Sequence, residues 1–151
     1  MKLKCPSQPE HVLDRLNAYL DRTLSRGDDI AVRKALAERN LARGEATAAE
    51  KWAQECLYID VYDPVPDVLL ADAQSAEKKF AEAIAEYETA IKLKARKPND
   101  LNVKVAKAQL GLGQRDAAKA TLDGILKEDP EHPAAKALRD EIDSTQSKAR
   151  S

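Results

Sequence analysis

The side chains able to do covalent or metal chemistry are few and far apart. His11 and His132 are the only histidines, and Cys5 and Cys56 the only cysteines, in 151 residues. A transition-metal site needs several such ligands converging, usually from short spacings along one helix face or loop, and no two of these four stand that close. The histidines therefore read as surface side chains. Cys56 reads as a buried thiol of a reduced chain, because two cysteines make no disulfide framework. The 5 glycines are scattered. Gly111-Leu112-Gly113 lacks the third glycine and the preceding strand of a dinucleotide-binding turn. Carboxylates abound, but the 26 Asp and Glu are intermixed with 25 Lys and Arg, and no pair is set apart as general acid and base. The residues thus predict no enzyme, no catalytic group, no metal and no cofactor.

Charge and aromatic placement narrow the partners. The net charge is −1, without the basic excess of a nucleic-acid binder. Tyr19, Trp52, Tyr58, Tyr62, Phe80 and Tyr87 are not interleaved with cations, so no nucleic acid is expected. Most of these aromatics belong to packing, while Tyr58 and Tyr62 are candidates for contact with a partner. The densest charge cluster, Lys92, Lys94, Arg96 and Lys97, reads as cations complementing the dipole of a helix C-terminus. No run approaches the ~20 apolar residues of a membrane span. Met1-Lys-Leu-Lys-Cys-Pro is followed by no apolar stretch of a secretory signal. No membrane association is expected, and the default compartment is the cytoplasm, unless the chain is a fragment of a larger protein.

The elements that would position these residues are all helical. Alanine is abundant and loses no side-chain entropy in a helix, and Val and Ile never alternate as in a strand. After a flexible lead-in over 1–8, Val12, Leu13, Leu16, Tyr19, Leu20 and Leu24 recur at spacings of three and four, predicting a helix from Pro9 that ends at Arg26-Gly27-Asp28-Asp29. Three helix pairs follow. They are Ile30–Arg43 with Ala46–Ile59, turning at Gly44; Asp67–Ala76 with Lys79–Ala95, turning at Glu77-Lys78; and Asp100–Leu112 with Arg115–Lys127, turning at Gly113. Prolines at 64, 66, 98 and 130 separate the pairs, since proline cannot continue a helix. The long link Lys92–Pro98 suggests that the second helix of the middle pair runs on by nearly a turn. A last helix over 133–147 carries a narrow stripe, Ala134, Leu138 and Ile142, and the tail 148–151 frays.

The pairs repeat. Ala49, Ala83 and Ala118 stand 34 and 35 residues apart in matching contexts. The chain resembles the tetratricopeptide repeat (TPR) family, helix–turn–helix units of about 34 residues. Units fall at 30–63, 64–98 and 99–132, with a half-unit at 9–29 and a capping helix at 133–147, all one domain over 9–147. The family keeps small residues at the eighth and twentieth places, and here these are Ala37 and Ala49, Ala71 and Ala83, Ala106 and Ala118. The seventh place holds Leu36, Leu70 and Val105; the twenty-fourth Ala53, Tyr87 and Leu122; the twenty-seventh Cys56, Ala90 and Ile125. The fourth place departs from the family, with Arg33, Asp67 and Asn102, and so does the eleventh, with Asn40, Gln74 and Gln109. Trp52 shifts the bulk of the first unit by one residue, and Gly124 precedes a large Ile125. The resemblance implies an all-α, right-handed solenoid of antiparallel helix pairs, about eight helices in all.

The resemblance also implies a function: a protein–protein interaction module that holds a peptide or helix of a partner on the concave face lined by the first helix of each unit. The contacting places carry Lys34, Glu38, Leu41 and Ala42; Val65, Val68, Asp72, Ser75 and Ala76; and Val103, Lys107 and Leu110. Some three-unit relatives clamp the acidic C-terminal tails of chaperones with lysine, asparagine and arginine. Lys34 matches the first lysine, but Glu38 and Leu69 replace the asparagines, Asp100 replaces the second lysine, and Lys104 only loosely replaces the arginine. Carboxylates repel such a tail, so a chaperone tail is not the expected partner. The alternative is a C-terminal structural or assembly domain of a larger enzyme or complex, packing on a neighbour or forming a weak homodimer through its N-terminal helix.

Overall fold

Seven helices and no strand make up residues 30–149 of the computed structural model, which describes Ala18 and this span. The expected lead-in, half-unit 9–29, Cys5 and His11 lie outside the described residues. The helices are α1 (Ile30–Ala42), α2 (Ala46–Leu57), α3 (Pro64–Ala76), α4 (Phe80–Lys92), α5 (Pro98–Gly111), α6 (Arg115–Glu128) and α7 (Pro133–Ala149). Each packs chiefly on the next in sequence, as three antiparallel pairs with α7 against α6. α1 also packs on α3, whereas α3 and α5 meet marginally at most.

The alanines are where the helices cross. Ala37, Ala49, Ala71, Ala83, Ala106 and Ala118 are all fully buried, and a methyl group is what lets two helix backbones approach closely. Larger side chains fill the spaces between units in three clusters. Ala37, Ala53, Leu69 and Leu70 join the first unit to the second. Ala71, Ala83, Tyr87, Ala90, Leu101 and Val105 join the second to the third. Ala106, Ala118, Leu122, Ile125, Ala135, Leu138 and Ile142 seal the third unit under α7. The buried stripe of α7 thus uses Ala135, not the expected Ala134, which is exposed.

One backbone device closes every first helix. The N–H groups of Glu45, Lys79 and Gln114 reach back five residues to the carbonyls of Asn40, Gln74 and Gln109. The residue before each of the three is left-handed: Gly44, Lys78 and Gly113. This is the Schellman arrangement, which satisfies orphan carbonyls at a helix end. The amides of the eleventh place supply these carbonyls; Asn40 and Gln74 are buried and Gln109 is half-buried. The same arrangement also ends α4, where Ala95 N–H bonds to Ala90 O and Lys94 is left-handed. α4 therefore stops at Lys92 and does not run on toward Ala95. The chain crosses 93–97 as a link with two left-handed lysines, Lys94 and Lys97, before Pro98 opens α5.

α3 starts at Pro64, three residues before the expected Asp67. Proline suits the first turn because those N–H groups lack helical partners, and the Asp63 carboxylate accepts from Val65 N–H at 3.0 Å to cap the end. At the other edge of the second unit, Phe80 opens α4 and lies flat against Gly111, the last residue of α5. A Cβ at 111 would stand 2.5–2.7 Å from three ring atoms. Gly111→Ala is therefore expected to destabilise the chain by about 1–2 kcal/mol through forced repacking. In a Phe80→Ala background the same change should stabilise by roughly 1 kcal/mol through helix propensity. Urea titration of the four variants reads the reversal of sign.

His132, expected on the surface, is only 8% exposed. Its Nδ1 accepts from Ala135 N–H at 3.3 Å, capping α7, and its Nε2 lies 3.1 Å from the Asp100 carboxylate at the start of α5. The imidazole is a structural tie between the third unit and the capping helix. Its position just before the first-turn proline of α7 was the sequence signal for such a cap.

Candidate partner-binding groove

Where the first helices begin, an open cavity of about 440 Å³ lies between the second and third units. Its wall is aliphatic: Pro64, Val65, Val68 and Leu69 of α3, Ala95 of the link, and Leu101 of α5. Three charged residues complete it, Glu38 from α1 and Lys94 and Arg96 from the link. All three are exposed. Among the described residues none of them has an ion-pair partner. Because α4 stops at Lys92, Lys94, Ala95 and Arg96 reach this cavity from the link.

The expected contact residues divide sharply. Glu38, Val65 and Val68 line this one cavity. Lys34 is engaged by Asp63 in a half-buried ion pair. Burial works against the Asp63 carboxylate, but Lys34 and the Val65 N–H outweigh it and hold its pKa below the ordinary value. Asp72 is held in an inter-unit network: Tyr87 Oη donates to its Oδ1 at 2.5 Å, and Lys104 Nζ reaches both its oxygens at 2.6 and 2.7 Å. Burial first, and then Asp72, push the Tyr87 phenol well up. Leu41 is half-buried against the first inter-unit cluster, and Ser75 is half-buried. Ala42, Ala76 and Lys107 are exposed. Leu110 packs on the third cluster and lines a separate recess of about 180 Å³ with Arg115, Glu141, Ile142 and Thr145.

Val103 is displaced from its expected role. It is 3% exposed and shares a cluster with Leu138 and Ile142 of α7. The capping helix seals the unit that Val103 belongs to, so this side chain is core and not available to a partner. Sequence reasoning missed Leu69, Leu101 and the link residues Lys94 and Arg96. The signal for the link residues is the unusual length and charge of that link.

No group of three or more metal-ligating side chains converges among the described residues, and no helix there is long and apolar enough to cross a membrane.

Residues 67–142 match the model of a tetratricopeptide repeat family. No curated protein sequence matches the chain. Among solved structures, the first TPR of RPAP3 bound to the HSP90 peptide SRMEEVD superposes with a TM-score of 0.69 at 22% identity, covering 78% of this chain and 93% of that one. The Arabidopsis OM64 TPR domain gives 0.69 at 16% identity, over 77% and 95%. The Yersinia enterocolitica type III secretion chaperone SycD, in complex with a peptide of the translocator YopD, gives 0.65 at 21% identity, over 78% and 89%. With the alanines at the helix crossings, the repeated Schellman turns and the matched span in agreement, the chain belongs to the tetratricopeptide repeat family.

Proposed function

We propose that the chain is a non-catalytic protein-interaction module that seats an extended or helical segment of a protein partner in the cavity between its second and third units. The observation that carries this reading is the cavity itself: open aliphatic surface from α3 and α5, framed by three exposed charges. Apolar wall and charged frame divide the work in the usual way, burial supplying affinity and the charges supplying orientation and selectivity. That RPAP3 and SycD have been seen with peptides supports the kind of partner. The absence of clamp residues at Glu38, Leu69 and Asp100 speaks against a chaperone tail.

Val65 is the residue to test, because it lines the cavity yet is 41% exposed, so its replacement spares the core. Val65→Asp places a charge on the apolar wall and is expected to lose at least about tenfold in partner affinity. Lys107→Ala, exposed and outside the cavity, should leave affinity unchanged. Capture from a lysate of the source organism, followed by titration calorimetry on the captured protein, reads both. A folded Val65→Asp chain that binds as tightly as the parent would sink the reading.

A structural role, packing on a neighbour, is the second reading. It is favoured by one observation: the loop between α2 and α3 holds Tyr58 at 89%, Val61 at 60% and Tyr62 at 81% exposure.

A further inference from the structure

That loop is an apolar ridge with a fixed backbone. Ile59 and Asp60 N–H both bond to Cys56 O, and Tyr62 N–H bonds to the Asp60 carboxylate at 3.0 Å. At its far end Asp63 caps α3 and pairs with Lys34. The loop is thus tied at both ends while it holds two tyrosines and a valine in water. Ordered tyrosines presented in this way lose little conformational entropy on association and are typical anchors of protein interfaces. A ridge of this kind needs a concave apolar surface to receive it, and one with the matching chemistry is the cavity beside Val65. The ridge is aliphatic and aromatic, and its Asp60 is exposed, with no ion-pair partner among the described residues. The cavity is aliphatic and is bordered by the unpaired Lys94 and Arg96.

We propose that two copies of this chain associate by reciprocal exchange, the Tyr58–Tyr62 ridge of each docking in the cavity of the other with Asp60 facing Lys94 and Arg96. This rests on the groove reading above and names a second copy as an occupant of the groove. A two-fold arrangement needs both halves of a contact on one surface of each subunit, and ridge and cavity meet at Pro64–Val65.

Sedimentation velocity across a concentration series tests it on the full chain. The parent is expected to shift from monomer to dimer as concentration rises. Asp60→Lys, or Lys94→Glu with Arg96→Glu, should each weaken the dimer by at least about tenfold. Mixing the Asp60→Lys chain with the Lys94→Glu/Arg96→Glu chain restores opposite charges at both contacts and should recover the dimer. All three substituted positions are exposed, and circular dichroism checks that the variants fold. A parent that stays monomeric at every concentration overturns the proposal, as does a dimer indifferent to both charge reversals. If the chain is monomeric but a captured partner still depends on Val65, self-association falls and the groove reading stands. If a dimer forms as described but no foreign partner depends on Val65, the cavity serves the second copy alone.

Discussion

Replacing Tyr87 with alanine is expected to cost about 4 kcal/mol, the range for emptying a buried aromatic site. Tyr87 is 2% exposed and is the largest side chain of the cluster joining the second unit to the third. Its hydroxyl donates to Asp72, and Lys104 from α5 binds the same carboxylate and lies 5.7 Å over the tyrosine ring. Loss of the ring opens a cavity, frees the lysine from the ring face and leaves Asp72 with one partner fewer. Tyr87→Phe keeps the volume and should cost only about 1 kcal/mol, the net worth of one hydrogen bond. Because stability in repeat arrays is a sum of units and the interfaces between them, the alanine variant should also broaden the urea transition as the third unit uncouples from the second. A loss below about 1 kcal/mol for the alanine variant would show that the interface is held elsewhere.

The second large effect has the opposite sign. Asp67 is buried with one carboxylate oxygen unpartnered, and it shares its surroundings with Glu86 of α4. Burial first, with smaller help from Asp63, pushes the Asp67 carboxyl above its usual range. Burial, and then Asp67 itself, do the same to Glu86. A carboxyl whose pKa is raised by folding holds its proton more tightly in the native chain than in the unfolded one. Stability is then undiminished below the unfolded value near pH 4 and falls as pH rises through the folded value. Asp67→Asn removes one charge and offers an amide N–H to Glu86. It is expected to gain on the order of 2 kcal/mol at pH 7, or about 5 °C in melting temperature. The gain should shrink toward zero as the pH is lowered below about 4. Thermal melts of both chains from acid to neutral pH read the difference; a gain that is the same at every pH would refute the shared-proton account.

The architecture was legible because the features that determine it are local and periodic. Six alanines at the crossing places, glycine at two of three turns and proline between units each announce themselves in the sequence. Lys78 did not, since nothing in a lysine signals a left-handed backbone, and the turn there was placed by spacing alone. The departures from the family pattern had structural reasons that the sequence concealed. Asp67 at the fourth place meets Glu86 nineteen residues on, and Gln109 at the eleventh accepts a hydrogen bond from Thr121 on the facing helix. The groove was legible in part. Glu38, Val65 and Val68 follow from their places in the unit, whereas Val103 occupies an equivalent place but is sealed by α7. Burial at one repeat depends on what covers it, and that varies along the array. Lys94 and Arg96 belong to the link, where the repeat pattern makes no statement.

Gly111 has a consequence for how closely α4 and α5 meet. α5 touches the second unit unevenly. At its last residue the missing Cβ lets Phe80 come closer than any other residue would allow. At its first turn Leu101 is buried in the cluster shared with the second unit, and the cavity opens beside it. Ten residues of helix, about 15 Å, separate the two points. A methyl group added at 111 would have to displace the Phe80 ring or α5 itself. The closeness of α4 and α5 at this end is set by an atom that is not there.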